Sequence, residues 1–222
     1  MRPRALLFDL DGTLLDSAPD LAGTANEMRQ ARGLTAVPYA QLRPHAGSGA
    51  RGMLGEAFGI RPQDGAYAAL RDEFHDRYER RMLQDTRVFD AAHELVATLK
   101  RLDCPWGIVT NKSLRFCEPL VQALAPLTHT GALVGGDSTA FAKPHPEPLL
   151  EAARRLRVSP AHCAYVGDDP RDMQAAHAAG MQAWAAGWGY LGLQAPLAKW
   201  GAHQVFPDLP ALVAHLQSGE VA

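Results

Sequence analysis

At 222 residues, 47% of them hydrophobic and 21% charged, the chain is long enough for one large domain or for a main domain with an insertion, and its composition excludes disorder. A formal net charge of −2 gives no basic field to hold nucleic acid or an anionic membrane, so any anionic ligand must be gripped locally. The three cysteines, Cys104, Cys117 and Cys163, contain no CxxC pair and argue against a disulfide framework or a thiolate zinc site; with no run of about 18 apolar residues to cross a membrane, they point to buried thiols in a reducing cytoplasm.

The first element is the apolar run Ala5 to Phe8, which reads as a buried strand of a parallel sheet and breaks into Asp9-Leu10-Asp11-Gly12-Thr13. Two carboxylates two residues apart at a strand end repel each other unless a cation or a shared proton offsets the charge. Strand ends of open parallel sheets are also where ligands bind.

From Asp16 to about Gln84 no convincing strand occurs. Ser17 and Asp20 are expected to cap a helix that carries Leu21, Ala25 and Met28 on one face and stops at Gly33. Farther on, Tyr67, Leu70, Phe74, Tyr78 and Met82 recur at helical spacing. Between them, residues 45–52 (HAGSGARG) read either as a flexible connector or as a loop that offers backbone N–H groups and Arg51 to an anion. An all-helical module inserted here, residues 16–84, would cap the C-terminal edge of a core made of residues 1–15 and 85–222.

After the insertion, strands and helices alternate, the signature of βαβ units. Strands are predicted at Pro105 to Val109, Ala132 to Val134, Cys163 to Val166, Gln182 to Ala185 and Gln204 to Phe206. One helix, Ala91 to Leu102, buries Leu95, Val96, Leu99 and Leu102, and another, Pro146 to Leu156, buries Leu149, Leu150, Ala153 and Leu156. A third opens at Pro170 and closes at Gly180. In the segment Leu114 to Leu124, Pro119 predicts a kink or a late start. The fold class is therefore α/β, a Rossmann-like parallel sheet with helices on both faces and a small helical cap after the first strand.

Three further strand tips carry chemistry. Thr110 and Asn111 follow one strand, and Lys143 is held between strands by the stiff Pro144 and Pro146. The fourth tip, Gly167-Asp168-Asp169-Pro170-Arg171-Asp172, puts three carboxylates ahead of a helix N-terminus. Together with Asp9 and Asp11 they form a hard-oxygen site suited to Mg²⁺.

These four tips, in this order, resemble the four motifs of haloacid dehalogenase-type hydrolases, and the likeness runs the whole length of the chain. The cap position, together with Thr110-Asn111-Lys112, Lys143-Pro144-His145-Pro146 and Gly187-Trp188-Gly189-Tyr190, is most similar to the phosphoglycolate phosphatase-like branch. The segments Arg115-Phe116-Cys117-Glu118-Pro119 and Trp200-Gly201-Ala202 are also similar to bacterial N-acetylmuramic acid 6-phosphate phosphatases. The resemblance implies that Asp9 is the nucleophile and that Asp11 gives a proton to the leaving alkoxide and then takes one from water. Asp168 would bind the metal with Asp9 and the main-chain carbonyl of Asp11, while Asp169 or Asp172 completes or orients the shell. Lys143 and Thr110 would hold the transferring phosphoryl group, and Thr13, Asn111 and Arg51 are expected to contact substrate.

The expected partner is a small phosphorylated metabolite, acted on by a monomer or homodimer. A phosphomutase would need a further cation and acid or base on the cap, which the sequence does not identify, and a dehalogenase has no use for an acid at Asp11. A phospho-accepting receiver domain lacks both the cap and the second Asp.

Overall fold

The computed structural model describes residues 3–192 and 196–219. Six parallel strands form the main sheet: β1 (Ala5–Phe8), β4 (Trp106–Val109), β5 (Leu133–Val134), β6 (Cys163–Gly167), β7 (Gln182–Ala186) and β8 (Gln204–Phe206), in the spatial order β5-β4-β1-β6-β7-β8. All six sequence-predicted strands are present, displaced by at most a residue at either end. β1 is central and all four of its residues are buried, as its unbroken apolar run requires.

Successive side chains of a strand point to opposite faces, and here they feed two cores. Leu6 and Phe8 join Ile108, Val166 and Trp184 on one face, beneath helices α5 (Ala92–Arg101), α6 (Leu114–Ala123) and α9 (Leu209–Ser218). Ala5 and Leu7 join Tyr165 and Ala183 on the other, beneath α7 (Glu147–Leu156) and α8 (Pro170–Ala178). Some details differ from the sequence reading. Leu150 is exposed on α7 and Ala152 takes its expected place inside, while Leu102 and Leu156 are only partly buried. Pro119 neither starts nor ends α6 but lies within it.

Between β1 and β4 the chain makes an antiparallel ribbon, β2 (Leu15–Asp16) against β3 (Arg87–Val88), with a helical module inserted between its two strands. The module comprises α1 (Ala18–Gln30), α2 (Tyr39–Leu42), α3 (Gly49–Phe58) and α4 (Tyr67–Arg81). Phe74 and Tyr78 are buried on α4, as the spacing predicts. The stretch 45–52 is not a flexible loop: it continues a 3₁₀ turn, Arg43–Ser48, into the first turn of α3.

The expected capping pair does something else. The Ser17 side chain makes no cap bond; instead the Tyr190 hydroxyl accepts the N–H groups of Ser17 (2.8 Å) and Ala18 (3.0 Å). Asp20 is fully buried and accepts from Thr86 Oγ1 and from the N–H groups of Asp85 and Thr86, with the Arg81 guanidinium 3.2 Å away. It fastens the start of α1 to the chain re-entering the core, through partners more than sixty positions away that no local pattern marks.

Candidate active site

The C-terminal ends of β1, β4 and β6 lie side by side, so the residues that follow them share one sheet edge. One carboxylate oxygen from each of Asp9, Asp168 and Asp172 falls within a cluster in which every pair is no more than 4.8 Å apart. Lys143 reaches into it: Nζ lies 3.0 Å from Asp9 Oδ1 and 2.8 Å from Asp172 Oδ1, and also donates to the Tyr165 hydroxyl (2.6 Å) and the Val109 carbonyl (3.1 Å).

Burial, together with the neighbouring Asp9 and Asp172, pushes the Asp168 carboxyl well above the usual range. Asp172 is pushed up to about 6, chiefly by burial and also by Asp9, with Lys143 opposing. Burial acts against the charge on Lys143, but Asp172 and Asp9 outweigh it and raise its pKa. Among the described residues the one ammonium pairs with two of the three carboxylates and leaves Asp168 without a cation, and a divalent cation bound by hard oxygens would relieve the remaining repulsion.

The backbone is shaped around these acids. A Cβ on Gly12, whose φ is +81°, would come 2.2 Å from Asp168 Oδ2, and one on Gly189 would come 2.2 Å from the Asp168 Cβ. A Cβ on Gly167 would come 2.2 Å from Asp172 Oδ2. Asp168 is held on one oxygen by the Tyr190 N–H (2.8 Å) and on the other by the Thr13 hydroxyl (3.2 Å).

Asp11 stands apart from the cluster. Lys112 Nζ is 3.0 Å from each of its oxygens, and the Ser17 hydroxyl donates to Oδ1. Lys112 also lies 4.8 Å from the centre of the Tyr78 ring, across the cap boundary. Burial acts against its charge, but Asp11 and Tyr78 raise its pKa overall.

Several expected residues have roles other than those anticipated. Thr13 is fully buried and spends its hydroxyl on Asp168, so it orients an acid rather than facing the cleft. Asn111 lines the cleft, but its amide pairs with the main chain of Lys143 in both directions, at 2.9 Å each. Thr110 faces the cleft and accepts the Lys112 N–H at 3.2 Å. Asp169 caps α8 and takes two bonds from the Arg171 guanidinium; burial opposes its charge, but Arg171 holds its pKa below the usual value. It is therefore Asp172, not Asp169, whose oxygen joins the cluster. Arg51 is exposed on α3 and does not line the cleft. Arg171, to which the sequence reading assigned nothing, does line it and bonds the cap at the Gly47 carbonyl (2.9 Å).

The cleft above these groups encloses about 310 Å³. Its far wall is built from Leu21, Phe74, His75 and Tyr78 of the cap and Phe116 of the core. The sequence reading gave no site role to Lys112 and Tyr190, which it used only as marks of resemblance, or to Ser17, which it read as a helix cap. Lys112 could have been flagged by its place two residues beyond Thr110 on a strand tip.

Residues 3–180 match the model of a family described as haloacid dehalogenase-like hydrolase. A phosphoglycolate phosphatase of Xanthomonas campestris is 46% identical over 211 residues, covering 95% of each chain. An N-acetylmuramic acid 6-phosphate phosphatase of Pseudomonas aeruginosa is 40% identical over 210 residues, covering 95% of this chain and 92% of the relative. Among solved structures, a haloacid dehalogenase-like hydrolase of Streptococcus pneumoniae superposes with a TM-score of 0.78 at 22% identity, over 96% of this chain and 98% of the other.

Proposed function

The chain belongs to the haloacid dehalogenase-like hydrolase family, and from that premise we propose that it is a Mg²⁺-dependent phosphatase of a small phosphorylated metabolite, acting through an aspartyl-phosphate. The observation that carries this reading is the placement of Asp9 in one acidic cluster with Asp168 and Asp172, against the Lys143 ammonium.

Asp9, Asp168 and Asp172 fit the metal by donor type and spacing. When bound there, Mg²⁺ would offset their mutual repulsion and that of the phosphoryl oxygens. The Asp9 carboxylate attacks phosphorus while the bond to the leaving oxygen breaks, and Asp11 delivers a proton to that oxygen. Water then attacks the phosphorus of the acyl-phosphate, gives its proton to Asp11, and releases inorganic phosphate with Asp9 restored. Lys143 and Thr110 hold the phosphoryl group during both steps. In this scheme residues 16–84 act as the cap over a core of 1–15 and 85–222, in a cytoplasmic enzyme.

The Xanthomonas campestris relative supports 2-phosphoglycolate as the substrate. A second reading, an amino-sugar 6-phosphate, has the Pseudomonas aeruginosa relative behind it and a specific observation, the aromatic far wall of Phe74, Tyr78 and Phe116 in a cleft of about 310 Å³. Asp9→Asn tests the mechanism. It should abolish phosphate release with circular dichroism unchanged, because an amide cannot form the acyl-phosphate; a folded, active variant would rule the nucleophile out.

A further inference from the structure

We propose that Lys112 is the specificity-determining residue of this site and pairs with a carboxylate carried one carbon from the ester oxygen of the substrate. The proposal rests on the phosphatase reading and narrows its substrate class to phosphorylated 2-hydroxy acids, of which 2-phosphoglycolate is the smallest.

Three cations line the cleft among the described residues, and two are committed to the reaction floor and its edge. Lys143 is held between Asp9 and Asp172, and Arg171 is occupied by both oxygens of Asp169 and by the Gly47 carbonyl. His75 is not a fourth, because burial lowers its pKa and leaves the ring neutral at pH 7. Lys112 differs from the other two. Its side chain is 9% exposed and lines the cleft against the Tyr78 ring, and its carboxylate partner among the described residues is Asp11 alone, the acid that must bring a proton to the leaving oxygen.

Its position relative to the chemistry is set by Asp11. Nζ is 3.0 Å from both Asp11 oxygens, a symmetric two-oxygen grip on a carboxylate. Asp11 must itself come within hydrogen-bond reach, about 2.6–3.2 Å, of the leaving oxygen. Lys112 therefore stands one hydrogen bond beyond that oxygen. A carboxylate attached to the first carbon after the leaving oxygen would come within reach of the same ammonium and could take it once Asp11 carries its proton. A neutral hydroxymethyl group there offers no charge to pair, and the remaining leaving-group wall, Leu21, Phe74, Tyr78 and Phe116, supplies none.

The test compares 2-phosphoglycolate with 2-hydroxyethyl phosphate, which replaces the carboxylate by a neutral CH₂OH, and uses 4-nitrophenyl phosphate as a reference, each with the wild type, Lys112→Met and Lys112→Arg in the presence of Mg²⁺. The wild type should favour 2-phosphoglycolate over 2-hydroxyethyl phosphate in kcat/KM by roughly 10- to 100-fold, the range of a hydrogen bond to a charged group. Lys112→Met should bring that ratio to within about threefold of unity, mainly through KM for 2-phosphoglycolate, and Lys112→Arg should restore most of the preference.

Equal losses on both esters in Lys112→Met would overturn the proposal and leave Lys112 as a prop for Asp11. So would a wild type that hydrolyses 4-nitrophenyl phosphate but shows no preference between the other two, a result that needs no variant to fold and leaves the phosphatase reading intact. Release of phosphate from none of the three esters by the folded wild type would overturn the phosphatase reading itself.

Discussion

Asp9 and Asp11 are two residues apart, yet they have little in common beyond their charge. Asp9 shares Lys143 with Asp172 at the edge of the acidic cluster, whereas Asp11 is turned toward Lys112 and Ser17. That separation supports different roles. Asp11→Asn should slow hydrolysis of esters with poor leaving groups by roughly 10² to 10⁴-fold, and much less for 4-nitrophenyl phosphate, whose leaving oxygen needs no proton. Steady-state rates on the two kinds of ester check this, and equal losses would contradict the acid role.

At this scale the types of residue were legible in the sequence but their directions were not. Asp9, Asp11 and Asp168 announce themselves because a charged residue at the end of a buried strand needs a reason, and Lys143 because Pro144 and Pro146 stiffen the chain beside it. Thr13, Asn111, Asp169 and Arg51 sit in or near the same motifs, yet their side chains are aimed by partners far along the chain or by local helix geometry. Thr13 meets Asp168 across 155 positions and Asn111 meets Lys143 across 32, whereas Asp169 caps its own helix and Arg51 follows the outward face of α3. A pattern of residue types along the chain does not encode those directions.

Among the elements, the core strands were readable because each is a short, largely apolar run, although the edge strand β8 leaves Val205 exposed. The ribbon of β2 with β3 was not, since each strand has two residues and its partner lies beyond the whole cap. The fastening beside it was hidden for the same reason. Asp20 on α1 collects the hydroxyl and N–H of Thr86, the N–H of Asp85 and the charge of Arg81, all from the chain leaving the cap. Asp20→Ala would strand these buried donors and the guanidinium, and should lower the unfolding free energy by about 3 kcal/mol. Urea denaturation with an unchanged m-value would measure it, and a loss under about 0.5 kcal/mol, the range of an ordinary surface substitution, would show that the cluster does not hold the cap entry.

Across the whole molecule polar contacts tie the cap to the core, among them Tyr78 on Lys112, Gly47 on Arg171, and Asp76 and Glu79 on Arg115. Two of these surround the acidic cluster, whose protonation links the site to global stability. Metal-free, the folded protein keeps protons on Asp168 and Asp172 that an unfolded chain, with carboxyl pKa values near 3.9, has already released. Their contribution is therefore favourable below about pH 4 and is lost as pH rises through the raised pKa of each, about 6 for Asp172. Mg²⁺ competes with the same protons. Saturating Mg²⁺ should raise Tm more at pH 7.5 than at pH 5, and an equal or larger rise at pH 5, read by calorimetry, would mean that the cluster is not where the ion binds.

Direct detection of the covalent intermediate tests the central claim most closely. The enzyme, mixed with substrate and Mg²⁺ and quenched in acid within one turnover, can be digested and its peptides weighed. The mechanism predicts one phosphoryl group on the peptide carrying Asp9, lost on incubation at neutral pH and absent from Asp9→Asn. Turnover with the phosphoryl group on a different residue, or an Asp9→Asn protein that still releases phosphate, would contradict it.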